Sequence, residues 1–377
     1  MNTLWIPKVD CKYYRGEKPC IFGKICPDCN KYIPWQQRIL IIKLGAMGDV
    51  LRTTPILKGI NSRYPEAQIT WLTHSISKPL LENNAFINRL WCIDELFKPE
   101  LLSTRFDLLF CFDKSSEAIS LSRYISAERK FGFTSTECGD LTISNEASRR
   151  SWLLGLDDNY KFHENKSTYP EMIFEISEIP YNNEEYILDF TEDELLNSSE
   201  RWKDISERIE LKGMKSNDVL GINIGAGGAF ANKSLPTDTL AELIKKLHGK
   251  GYPLVLLGGP QEITVQSRLQ EIIDFPLVFN NFHNSVRQFA ALLRFCKLIL
   301  TGDTLAMHLA IAIQKPVIAF FTSTCSQEIE LYGRGLKIKT KAKCAPCYLR
   351  NCPSNNICLE DLTSELIFEK ITEYLEK

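Results

Sequence analysis

The chain has 377 residues, 44% of them apolar and 24% charged, with a formal charge of −2, a length that suits two domains of ordinary size and a cleft between them. The near-neutral balance excludes a nucleic-acid reader, which needs a basic excess, and no stretch approaches the roughly 18 apolar residues of a membrane span. The opening MNTLWIPKVD lacks the basic-then-apolar pattern of an export signal, so a cytoplasmic location is expected.

Thirteen cysteines are unevenly spread. The first group, Cys11, Cys20, Cys26 and Cys29, has the spacing C-x8-C-x5-C-x2-C. In a chain without an export signal such clustering points to metal rather than disulfides. After this arm, residues 38–44, with Ile39 to Ile42 apolar in succession, are read as a buried parallel strand. The next stretch places Val50, Leu51, Ile56, Leu57 and Ile60 on one helical face, and AQITWLT follows as a strand, completing a βαβ unit. FDLLFCF at 106–112 is another strand, and YPEMIFEISEI at 169–179 a helix that closes the half. The acid-rich passage 181–204 is read as the connection between halves.

The second half repeats the grammar. VLGINIGAGGA is a strand opening into glycines, TDTLAELIKKLHGKG a helix stopped by glycine, and YPLVLLGGPQE a strand ending in a glycine pair. FAALLRFC, KLILTGDT, LAMHLAIAIQ and KPVIAFF then alternate helix and strand, and TSELIFEKITEYLEK is an amphipathic final helix. Two doubly wound α/β units are expected, with ligands at the carboxyl ends of the strands between them.

Four motifs carry candidate chemistry. The turn Gly45, Gly48, Asp49 joins a strand to a helix; Asp49 there is either a helix cap or an ionised base able to take a proton from a sugar hydroxyl. The glycine-lined end of the strand at 221–224 is followed by Lys233, a point charge for a phosphate, although a surface lysine after such a turn is common. Glu262, just past a strand end, is placed to accept from ribose hydroxyls or to cap a helix. In TGDTLAMHLA, Asp303 and Thr304 form a corner at which the N–H groups of Thr304, Leu305 and Ala306 would face a diphosphate, with His308 one turn on.

In this order, KLGAMGDVLRTTP, Lys233, Glu262 and TGDTLAMHLA resemble glycosyltransferase family 9, the heptosyltransferases of bacterial surface polysaccharides, over residues 38–377. The resemblance implies a GT-B fold, two Rossmann-like domains facing a cleft. It implies inverting transfer from ADP-L-glycero-D-manno-heptose without a catalytic metal, and an acceptor that is a lipopolysaccharide core or related glycan. Asp49 matches the family's base, Lys233 its phosphate-binding lysine and Glu262 its ribose-side acid. Asp303, Thr304, Leu305 and Ala306 match its diphosphate-binding helix start, with Gly48 and His308 beside the donor. Where the family often has glycine after the Asp-Thr pair, this chain has Leu305. The expected division is a Cys-rich arm at 1–37, an acceptor domain at 38–190, a donor domain at 191–340, and a Cys-rich segment with a final helix at 341–377.

The second cysteine group, Cys344, Cys347, Cys352 and Cys358, has the spacing C-x2-C-x4-C-x5-C, which can close an S4 site for zinc or iron. Some family members that modify autotransporter proteins carry iron on such cysteines, so either metal is expected, in a structural role, at one shared site or two. Ahead of this group Lys337, Lys339, Lys341 and Lys343 alternate, giving one strand face that is wholly basic: an edge guarded by lysines, or an attraction for an anionic acceptor. A glycolipid acceptor would bring the protein to the inner membrane face. The alternatives are a protein O-heptosyltransferase, which the cysteines bring to mind, and a nucleotide-sugar epimerase of the same architecture.

Overall fold

The computed structural model describes residues 7–23, 26, 29–95, 99–210, 218–227 and 231–376. Part of the second glycine run, 228–230, thus lies outside the described residues.

The first sheet contains β1 (Gln37–Ile42), β2 (Ala67–Thr73), β3 (Arg89–Cys92), β4 (Phe106–Cys111), β5 (Ala127–Ser135) and β6 (Leu141–Ile143), in the order β3-β2-β1-β4-β5-β6. Every pairing is parallel except β5 with β6. The second contains β7 (Leu220–Asn223), β8 (Leu254–Leu257), β9 (Leu298–Gly302), β10 (Val317–Phe321) and β11 (Gly335–Lys339), all parallel, in the order β11-β10-β9-β7-β8. Central parallel strands are covered on both faces, which is why β1 reads Ile39, Leu40, Ile41, Ile42 without a polar break and buries all four completely.

In each sheet the winding reverses beside the first strand, between β1 and β4 and again between β7 and β9. An open α/β sheet leaves a crevice at such a reversal, outside the carboxyl ends of the strands. The Asp49 turn follows β1, the glycine turn follows β7, and Asp303 and Thr304 follow β9. The topology alone therefore gathers the motifs at two crevice mouths.

Successive residues of β7 to β10 face opposite ways, so Val219, Val255, Ile299 and Ala319 pack in one cluster and Leu220, Leu256, Leu300 and Phe320 in another. Leu51 and Leu80 from the first unit join the cluster that holds Met307 and Ile311 of the second. The units are thus joined through apolar packing as well as through the chain.

Two sequence expectations are corrected. The acid-rich connection is half helix: Glu192–Glu210 is helical, with Ser198, Ile205 and Ile209 buried and Trp202 stacked on Phe295 at 5.1 Å. One narrow stripe suffices to dock a mostly polar helix, and that stripe is faint in the sequence. The basic strand stops at Lys339, and Lys337 is drawn inward to donate to the carbonyl of Ile329. Lys341 follows a turn held by Asp361, so the alternating lysines form no continuous face, although β11 is the sheet edge. The final helix, Ser364–Leu375, is amphipathic as read, with Ile367 and Ile371 buried in the core of the second unit. Among the described residues no helix is long and apolar enough to cross a membrane.

Candidate functional site

The helix Met47–Thr53 starts at Ala46, which supplies no side-chain cap, and Asp49 is its third residue. Asp49 does not cap. Its Oδ1 lies 2.9 Å from the Arg52 guanidinium, and its side chain keeps 38% of its surface open on a cleft of about 870 Å³ between the units. Burial pushes the Asp49 carboxyl up, but Arg52 and Lys43 together hold it below the usual carboxylate range. An ionised acid facing a cleft can accept a proton from a bound hydroxyl.

The turn beneath it is braced by Asp113, a residue that the motifs did not reveal. Its Oδ2 accepts from the N–H groups of Leu44 (3.2 Å) and Gly45 (3.4 Å) and from Lys43 Nζ (3.3 Å), while Oδ1 accepts from the Ser115 N–H at 3.0 Å. It stands just past β4, where the first sheet reverses. An acid directly after the apolar strand read at 106–112 was the available signal.

Across the cleft, Lys233 ends a short turn and its Nζ donates to Asp303 Oδ2 at 2.9 Å. Burial raises the Asp303 carboxyl, but Lys233 and His308 outweigh it and keep it ionised. Thr304 is the N-cap residue of the helix Leu305–Ala312, in extended conformation. The first-turn amides of such a helix have no partner within it, which makes its start an anion site. Thr304, Leu305 and Ala306 all line the cleft. Asn223, also missed in the sequence, ends β7 and donates to Thr301 Oγ1 (3.2 Å) and Thr304 Oγ1 (3.4 Å), tying the two strand ends together.

Glu262 joins two glycine turns, accepting from the N–H of Gly227 at 3.1 Å and of Gly259 at 2.9 Å. A Cβ on Gly225 would lie 2.1 Å from Glu262 Cγ, so glycine there makes room for this carboxylate. Gly48 has a similar cause. A Cβ on it would lie 2.5 Å from Cδ2 of His308; this glycine lets the two helices meet. His308 is buried and stacks on Tyr186 of the connecting segment at 6.2 Å. Burial lowers its imidazole to about 4, although Asp303 pulls the other way, so it is neutral at neutral pH.

The structure thus brings Gly48, Asp49, Lys233, Glu262, Asp303, Thr304, Leu305, Ala306 and His308 to one cleft. The eight clustered cysteines lie elsewhere, in two groups, whereas Cys325 lines the cleft itself. Cys11, Cys20, Cys26 and Cys29 line one cavity of about 410 Å³ in the arm. Burial pushes the Cys358 thiol up to about 11, and Cys344, Cys352 and Cys347 lie close enough to add to it. Backbone N–H groups point at two sulfurs, Lys31 at Cys29 (3.4 Å) and Asn356 at Cys352 (3.2 Å). Yet among the described residues no three His, Cys, Asp or Glu side chains close on one point as ligands would.

Residues 98–358 match the family described as glycosyltransferase family 9 (heptosyltransferase); the matched span begins after the Asp49 turn. The chain is 23% identical over 308 residues to lipopolysaccharide heptosyltransferase 1 of Campylobacter coli, covering 77% of this chain and 85% of that protein. A family 9 glycosyl transferase structure from Veillonella parvula superposes with a TM-score of 0.69 at 17% identity, covering 90% of this chain and 98% of the other. TibC of enterotoxigenic E. coli, a dodecameric iron-containing heptosyltransferase solved with ADP-D-β-D-heptose, gives 0.53 at 12% identity over 90% and 76%. At these identities the structures speak for the fold, a two-unit α/β architecture of the heptosyltransferase kind.

Proposed function

The chain belongs to glycosyltransferase family 9 and is a glycosyltransferase, and from that premise we propose that it transfers heptose, with inversion, from ADP-L-glycero-D-manno-heptose to a hydroxyl of a lipopolysaccharide core or related surface glycan. The donor is supported by the heptosyltransferase relatives, one of them solved with an ADP-heptose. The observation that carries the mechanism is the pairing of walls: an ionised, open Asp49 opposite a helix start and Lys233.

Asp49 takes the acceptor's proton as the hydroxyl oxygen attacks the anomeric carbon, and ADP leaves from the opposite face. Negative charge grows on the diphosphate; Lys233 and the amides of residues 304 to 306 meet it, and no catalytic metal is called for. Glu262 accepts from the ribose. Residues 38–190 then serve the acceptor and 191–340 the donor. Transfer to a protein is the second reading, favoured by one observation: Tyr348, from the C-terminal cysteine segment, lines the cleft, and the iron-containing TibC is among the structural relatives.

For the cysteines, we propose structural zinc or iron, with Cys344, Cys347, Cys352 and Cys358 as one thiolate set and Cys11, Cys20, Cys26 and Cys29 as the other. Clustered sulfurs with N–H groups aimed at them suit thiolate ligation, and the described residues of the arm contribute none to the buried apolar clusters, so metal would supply its order. One panel tests donor and metal together: thermal shift with ADP, UDP, GDP and CDP, and elemental analysis of the same sample. The expected result is stabilisation by ADP above the others and stoichiometric zinc or iron whose chelation lowers the melting temperature. A preference for another base, or unchanged melting after exhaustive chelation, would sink the corresponding part.

A further inference from the structure

Resting on the reading of Asp49 as the base, we infer that Arg52 is its positioning residue and that Glu328, reaching from the second unit, completes that positioning only when the two units are together. Arg52 is largely buried and its fork is divided. One arm holds Asp49 Oδ1 at 2.9 Å, the other lies 3.5 Å from Glu328 Oε2, and the guanidinium plane sits 3.8 Å from the Tyr169 ring centroid. Three partners in three directions leave a planar cation little freedom, and Asp49 inherits that fixity.

Glu328 is itself held. Tyr348 donates to its Oε1 at 3.4 Å and accepts from the Cys325 N–H at 3.2 Å. The Tyr348 ring stacks on Phe162 of the first unit at 5.9 Å, with Lys161 Nζ 3.5 Å from its centroid. Two sets of contacts therefore span the cleft side by side, Arg52 with Glu328, and Lys161 and Phe162 with Tyr348. The first sets the base.

The division of the fork has a chemical consequence. A guanidinium spent wholly on Asp49 would grip the carboxylate and make it a poorer base. Shared with Glu328, it orients one oxygen and leaves the carboxylate basic. Parting the units removes Glu328, so an open enzyme carries a tied, weaker base, and a closed one a poised base. The titratable groups facing Asp49 are Arg52 and Lys43 from its own unit and Asp303 and the neutral His308 from the other; Glu328 acts through Arg52.

The test is the pH profile of kcat, whose acid limb reports the base in the substrate-bound, closed enzyme. In Arg52→Gln the limb moves up by roughly one unit, and Arg52→Lys moves it back part of the way. In Glu328→Gln it moves down and the plateau rate falls, while ADP affinity stays that of the wild type in all three. Circular dichroism and ADP titration certify folding; should Arg52→Gln fail to fold, the opposite displacement in Glu328→Gln carries the test alone. A lowered rate with an unmoved limb in both variants overturns the inference and leaves Arg52 a structural residue. Asp49→Asn, run alongside, separates the two levels: if it still transfers sugar, the base assignment fails, whereas an inactive Asp49→Asn with unmoved limbs in the others removes only the positioning.

Discussion

On one wall of the cleft the helix after β1 carries an acid, Asp49, held by Arg52 of its own helix and 38% open. On the other, the helix after β9 follows an acid, Asp303, which is only 13% open and lies against Lys233 from a separate turn. Both are ionised acids at a strand-to-helix corner. Exposure and partner separate them. The open one can meet a substrate proton, while the enclosed one fixes a cation and keeps its wall close to neutral until a diphosphate arrives. A motif of glycine, acid and helix thus states the geometry, and the neighbours decide the chemistry.

Three substitutions on these walls sharpen the contrast, the largest effect first. His308 belongs to the enclosed wall, and burial lowers it to about 4, so the native state refuses a proton that the unfolded chain accepts below its ordinary 6.5. The stability tied to this group is full above pH 6.5 and is lost as pH falls towards 4, a loss on the order of 3 kcal/mol. Denaturant unfolding of His308→Gln should show a flatter acid side than wild type; equal acid sensitivity would place the proton uptake elsewhere. Gly302→Ala comes next, because its Cβ would lie 2.0 Å from the Lys233 carbonyl oxygen, a backbone atom. It should cost about 2–3 kcal/mol and weaken ADP binding in titration. Gly48→Ala pushes instead on the His308 ring, a side chain rather than backbone, and should cost about 1 kcal/mol with ADP binding less affected. The reverse order of the two glycines in thermal unfolding would contradict the rigidity assigned to the donor wall.

Much of this was legible in the sequence where a short segment decides its own fate. Ile39 to Ile42 could only be a strand buried on both faces, and the Gly-x-x-Gly-Asp and Thr-Gly-Asp-Thr corners marked the strand ends that the sheets bring to the cleft. What stayed hidden depends on partners far along the chain. Arg52 and Glu328 are 276 residues apart, and no local pattern joins them. Gly48 was expected beside the donor, and nothing local shows that the ring packed against it belongs to His308. Asp113 and Asn223 are ordinary polar residues until the sheets close around them. The helix Glu192–Glu210 was missed because its docking stripe is too sparse to stand out among charges.

The most direct test of the account is to separate the walls. Asp49→Asn and Lys233→Met are each measured for ADP binding by calorimetry and for heptose transfer by product formation. Asp49→Asn should lose transfer by about 10²–10⁴-fold while binding ADP as the wild type does, and Lys233→Met should lose both. Loss of ADP binding in Asp49→Asn, parallel to its loss of transfer, would contradict the assignment of base and cradle to opposite walls.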